Sequence, residues 1–174
     1  MNKKYLAFLR GINVGYIRIK MADLQRAFEQ MGFTDVRTYL QTGNVVFEAE
    51  QDAPEIKAIL EKGLTETFHY EAFVQIYPFE VLAPIINQYP FERTETHHAY
   101  VIFVETENAR QELLALANGL EPTSGEQIVA GPGVVYWQVA RGESTNTPFA
   151  KITGKAKYKS STTVRNINTL EKML

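Results

Sequence analysis

Apolar positions along the chain follow two periods in turn. KYLAFLR (4–10) is apolar at both alternating sets, Leu6 and Phe8 on one, Tyr5, Ala7 and Leu9 on the other. That predicts a strand covered on both faces. MADLQRAFEQM (21–31) changes to helical spacing through Met21, Leu24, Phe28 and Met31, and Gly32 stops it. VRTYL (36–40) and NVVFEA (44–49) are strands across Gln41-Thr42-Gly43, a hairpin signal. Pro54 opens a helix to Phe68, with Ile56, Leu60, Leu64 and Phe68 on one face, and AFVQIYP (72–78) is a strand that Pro78 ends. The order βαββαβ is that of the ferredoxin-like split unit.

The same order then recurs without obvious identity of sequence. A helix near 79–88 and the loop YPFERTET precede HAYVIFVE (98–105), a strand with Tyr100, Ile102 and Val104 opposite Val101 and Phe103. ENARQELLALANGL (107–120) is a helix ended at Asn118-Gly119. EQIVA (126–130) and VVYWQVA (134–140) flank the turn Gly131-Pro132-Gly133. A short helix from Thr147-Pro148, a strand at TTVR (162–165) and a helix over 166–174 follow, with Thr163 or Asn166 as the cap of that last helix. The prediction is an α+β chain of two ferredoxin-like βαββαβ halves packed as one compact unit. The first half spans 1–78, a connecting helix and loop 79–97, and the second half with its C-terminal helix 98–174. Helices cover one face of such a sheet, so the other half or a second subunit is expected to cover the other. An RNA-recognition domain of this topology needs an open sheet with stacking aromatics, and NVVFEA lacks its third-strand motif.

Composition narrows the class. The chain of 174 residues has no cysteine, which excludes disulfides, thiolate metal sites and cysteine nucleophiles. No apolar run reaches the roughly 18 residues of a membrane span, and MNKKYLAFLRGI lacks a signal-peptide pattern. A cytoplasmic protein with no membrane partner is expected. The net charge of −2 argues against a general polyanion binder, yet its distribution is uneven. Residues 1–22 hold Lys3, Lys4, Arg10, Arg18 and Lys20 with no acid; residues 144–170 hold Lys151, Lys155, Lys157, Lys159 and Arg165, again with none. If the two segments meet they form a positive surface on an acidic body; if they do not, they are two solvated basic stretches.

In a βαββαβ sheet the third strand lies between the first two, so the loop after strand one and the hairpin after strand two share one end. Those are Arg10-Gly11-Ile12-Asn13-Val14-Gly15 and Gln41-Thr42-Gly43-Asn44. Together they offer a guanidinium, amides, a hydroxyl and backbone N–H groups, a set suited to an anion or a polar planar group. The same glycines and Asn44 also suit tight turns and nothing more.

The stretches LRGINVG, MADLQRAFEQMGFTDVRTYLQTGNVVF and TTVRNINTLEKML closely resemble the bacterial domain of unknown function 1697 family. The resemblance implies an α+β fold with two ferredoxin-like halves and supplies no activity. Its recurring polar positions fall on Arg10, Gly11, Asn13, Gly15, Tyr39, Gln41, Gly43, Asn44, Thr163, Arg165, Asn166 and Thr169. Tyr16, Thr42 and Ile167 depart from the family pattern, in which glycine, serine and an aromatic are usual.

Named chemistries fail one by one. Gly11 and Gly15 are one residue too close for a P-loop and Tyr16 stands in place of its lysine; the dinucleotide glycine pattern is absent too. Of His69, His97 and His98, the adjacent pair on a strand points to opposite faces, so no metal site is expected. None of Ser124, Ser144, Ser160 and Ser161 stands in a nucleophile elbow. In KITGKAKYKSSTTVRN, Lys151, Lys155 and Lys159 share a helical face, or Lys155, Lys157 and Lys159 a strand face. The reading that joins these features is a protein that binds a small anionic or nucleotide-like ligand, with catalysis left open and no cofactor named. Arg10 and Arg165 would clamp the anion. Asn13, Tyr39, Gln41, Thr42, Asn44 and Asn166 would line its site, and Lys20 and Lys157 would stand at the rim. The alternatives are a nucleic-acid-binding module that uses the two basic segments, and an interaction scaffold whose motifs are structural.

Overall fold

The computed structural model describes residues 1–121, 125–158 and 160–174. Contacts divide the chain at Val81/Leu82 into two compact units, 1–81 with Met173, and 82–172 with Leu174. The segment between Leu82 and His97 therefore groups with the second unit. Among the described residues, no helix is long and apolar enough to cross a membrane.

The first unit contains β1 (Lys3–Arg10), α1 (Met21–Gln30), β2 (Thr34–Tyr39), β3 (Asn44–Ala49), α2 (Ala53–Phe68) and β4 (Phe73–Pro78). The sheet order is β2-β3-β1-β4, with every neighbouring pair antiparallel. Tyr5, Ala7 and Leu9 of β1 face a core with Val45, Phe47 and Val74, closed by Leu24 and Phe28 of α1 and Ile56, Leu60 and Leu64 of α2. Phe47 meets Phe33 and Phe28 at ring separations of 5.1 and 5.4 Å. Each such side chain contributes about 1.5–3 kcal/mol on burial, which outweighs the weak helix propensity of the β-branched and aromatic positions. Leu6, Phe8 and Val46 on the opposite face are buried as well, as the doubly apolar pattern of β1 requires.

Local chemistry sets the boundaries. Asp52 caps α2 by accepting from the Glu55 N–H at 3.1 Å, and His69 ends it in the left-handed region. β2 stops at Tyr39, one residue short of the expected end, because Leu40 turns to φ +56°. A helix expected over 79–88 is a 3-10 turn (Phe79–Val81) followed by α3 (Leu82–Asn87).

The second unit continues with β5 (His97–Val104), α4 (Glu107–Asn118), β6 (Gln127–Ala130), β7 (Val134–Ala140), α5 (Pro148–Thr153), β8 (Thr162–Asn166) and α6 (Ile167–Lys172). Its sheet order, β6-β7-β5-β8, reproduces that of the first. One face carries Ile102, Val104, Val135 and Trp137 against Leu113 of α4 and Phe149 of α5. The other is covered from within the unit: α6 packs on β5 and β8, α3 packs on α6, and Tyr136 donates its hydroxyl to the Ile85 carbonyl at 2.6 Å. The basic stretch forms neither a continuous helix nor a strand, since α5 ends at Thr153 with Gly154 as its cap and a 3-10 turn follows at Ala156–Tyr158. Lys159 and Ser124, which entered the sequence reading, lie outside the described residues.

Candidate functional site

β1 leaves the first sheet at Arg10 and does not reach α1 until Met21. The intervening chain is folded back on itself. Gly11, Asn13 and Gly15 have φ of +78°, +54° and +60°, and the Asn13 N–H donates to the Ile17 carbonyl at 2.7 Å. The Asn13 side chain then ties three segments together. Its Nδ2 donates to the carbonyls of Ile19 (3.0 Å) and Gln41 (2.6 Å), and its Oδ1 accepts from the Ile19 N–H (2.9 Å). Asparagine tolerates the left-handed region better than most residues, so one residue supplies both the turn and the brace.

The hairpin is built as tightly. Phe8 pairs with Asn44 across β1 and β3, and the Leu9 N–H donates to the Gly43 carbonyl at 2.8 Å. Asn44 is completely buried, and its Nδ2 donates to the Tyr39 carbonyl (3.0 Å) and to Thr42 Oγ1 (2.8 Å). Gly43 has φ +86°, and a Cβ there would lie 2.7 Å from the Cβ of Leu9. Glycine is required on both counts.

The structure thus gathers Arg10, Asn13, Lys20, Tyr39, Gln41, Thr42 and Asn44 at one end of one sheet. Asn13 and Asn44 hold the loops in shape with their side chains. Arg10 is half-buried, and desolvation pulls its guanidinium below the ordinary value. Gln41 and Thr42 are exposed in the hairpin, and Lys20 is exposed at the start of α1, where its side chain makes no cap. Val14, Tyr16 and Leu40 stand exposed on the same two loops.

The other three expected site residues belong to the second unit. Arg165 is buried on β8, and its Nη1 donates to Thr163 Oγ1 at 2.6 Å and to the Val164 carbonyl at 2.9 Å. Asn166 Oδ1 accepts from the Asn168 N–H at 2.9 Å at the start of α6, so of the two caps expected it is Asn166 that serves. Lys157 pairs with Glu112 of α4, which raises the lysine pKa and lowers that of the carboxyl. Residues that no motif marks surround Asn166: Arg93, Thr94, Glu95, His97 and Arg141 share a cleft with it and with Asn168 of the C-terminal motif. No spacing in the sequence links them. Only the pairing of β5 with β7, which sets His97 opposite Ala140, and of β5 with β8, which sets Tyr100 opposite Asn166, brings the three segments together.

The fold defines an α+β protein of two ferredoxin-like units, the first with an elaborated loop at one sheet end. The chain belongs to the family described as protein of unknown function (DUF1697), whose profile matches residues 1–136. That match includes both loops of the first unit and stops before β8. No curated protein matches the chain. Among solved structures, a conserved bacterial protein, SP0830 from Streptococcus pneumoniae, is similar with a TM-score of 0.80 and 21% identity, over 99% of this chain and 97% of that one. An unknown protein from Galdieria sulphuraria aligns over 95% of this chain and 99% of its own at 11% identity, with a TM-score of only 0.29. The first likeness is one of fold.

Proposed function

We propose that the chain binds a small anionic ligand, nucleotide-like ligands included, where residues 10–20 meet residues 39–44. The observation that supports this is the length of one connection. Residues 11–20 join β1 to α1, whereas Glu105 and Thr106 alone join β5 to α4 at the matching place in the second sheet. Connections of this kind commonly run about 2–6 residues, so the sheet closes without the extra length. The extra length is braced, passes through three residues of positive φ, and is cationic. Arg18 and Lys20 stand on it and Arg10 leads into it, and neither residues 10–20 nor 36–47 contain a carboxylate. Partial desolvation strengthens the field of Arg10. The exposed ring of Tyr16 offers a face for a nucleobase. Arg165, Asn166 and Lys157 are not needed for this reading.

Titration of the chain with inorganic phosphate and with adenosine 5′-monophosphate, against chloride at equal ionic strength, tests it. A ligand at about a hundred times its Kd adds ~2.7 kcal/mol, which raises the melting temperature by roughly 5–11 °C in a chain of this size. Amide shifts should gather in residues 11–20 and 41–43, and Lys20→Ala with Arg18→Ala should weaken binding. Tyr16→Ala should weaken the nucleotide alone. Absence of any saturable shift in those loops at millimolar ligand overturns the proposal.

A further inference from the structure

The cleft around Asn166 lies wholly within the second unit and shares no lining residue with the loops above. It holds about 300 Å³ and is lined by Arg93, Thr94, Glu95, His97, Ala99, Arg141, Asn166 and Asn168, of which Ala99 alone is apolar. That volume is at the small end of ligand sites, and so polar a lining suits a small, strongly solvated group rather than an apolar one. Its positive groups come from separate segments. Arg93, in the chain before β5, donates from Nη2 to Asn168 Oδ1 and pairs with Glu171. Arg141, just beyond β7, donates from Nε to the Glu95 carbonyl at 2.5 Å and lies with Nη1 3.5 Å from His98 Nδ1.

These bonds fix the guanidinium groups and leave donors over. Nη2 of Arg141 makes no bond to a described residue, while the amides of Asn166 and Asn168 are engaged through their oxygens. The positive charge of Arg141 reaches the neighbouring His98 ring. Together with burial, it holds the His98 imidazole below its usual range. Gly125 packs on His97: a Cβ there would lie 2.4 Å from His97 Nε2, so the His97 ring is backed by main chain while its Nδ1 meets the Thr94 and Thr96 hydroxyls.

From this geometry we infer a second binding site, in which a small oxyanion, carboxylate or phosphate, sits between Arg93 and Arg141 and accepts from the side-chain amides of Asn166 and Asn168. Arg141 is its main determinant, because Arg93 is already balanced by Glu171. Glu95 is the one carboxylate in the lining and opposes the anion.

The test is titration of the whole chain with inorganic phosphate and, separately, with succinate, followed by amide and arginine Nε resonances at constant ionic strength. Saturable shifts at residues 93–99, 141 and 166–168 are expected, and they are distinct from shifts at 11–20 and 41–43, so each site can fail alone. Arg141→Ala should weaken cleft binding roughly tenfold, the loss of one charge-assisted hydrogen bond, and Glu95→Gln should strengthen it. Arg141 is exposed and outside the core, and the Glu95→Gln variant gives a gain that misfolding cannot imitate. No saturable shift in the cleft, or unchanged affinity in both variants, overturns the inference. Phosphate alone or succinate alone would fix which oxyanion the site takes.

Discussion

The two sheets have one strand order and two different ways out of the central strand. β5 ends at Val104, and Thr106 caps α4 at once by accepting from the Ala109 N–H at 3.2 Å. β1 ends at Arg10 and passes through three residues of positive φ before α1 begins. The hairpins differ in the same sense. Gly133 has φ +71° in open space, whereas Gly43 has φ +86° wedged against Leu9 and Ile12. Identical topology with unequal loops separates what the fold demands from what has been added to it. The additions lie in the first unit, on the residues that its family motifs mark.

The contrast can be broken most sharply at the hairpins. Gly43→Ala combines left-handed strain with a backbone-proximal clash and should cost about 3 kcal/mol, against about 1 kcal/mol for Gly133→Ala, where strain acts alone. Urea unfolding of the two variants measures this, and equal losses would mean that the first hairpin relaxes freely. Next in size is Asn13→Ala, which removes one hydrogen bond from the loop to the hairpin and two within the loop. It should cost about 2 kcal/mol, against about 1 kcal/mol for Thr106→Ala, which removes a single cap. Hydrogen exchange in the Asn13 variant should rise at residues 11–20 and 41–43 together. Exchange confined to residues 11–20 would show that the two loops are independent.

The smallest effect belongs to the second unit and depends on pH. Burial and the Arg141 charge lower the His98 pKa from its usual 6.5, so the unfolded chain takes up the proton first as pH falls. The stabilisation from neutral His98 is whole above pH 6.5 and is lost as pH drops from there through the folded pKa. A histidine titration followed by NMR should give a midpoint below 6.5 that rises in Arg141→Ala. A midpoint unmoved by that variant would leave burial as the whole cause.

Much of this was readable from residues. Strands apolar on both faces, the Gly32 stop, the Pro54 helix start and the Gln41–Gly43 turn foretold the first unit almost element by element, since each is a local signal. That the RGIN loop and the QTGN hairpin share an end followed from strand order. What escaped were properties of long-range pairing. The sequence offers the asparagine amides as ligand groups; the structure adds that the left-handed turn at Asn13 engages its amide with Ile19 and Gln41, and that Asn44, paired with Phe8, is buried. The cleft was invisible because Arg93, Arg141 and Asn168 meet only once β5 has paired on both sides. Covering α3 and α6 over the second sheet also needed the tertiary fold, because two short helices carry too few turns for their apolar sides to show.

β1 has a further consequence for how the chain comes to be folded. It pairs with β3 and β4, both of which lie later in the chain, the farther ending at Pro78. Until those segments exist, LAFL has no partner on either edge and no cover on either face. Such a segment is sticky while it waits. Lys3 and Lys4 on one side and Arg10 on the other place like charges at both ends of it. The same arginine that would attract a ligand in the folded protein would, in the nascent chain, keep one copy of this strand from meeting another.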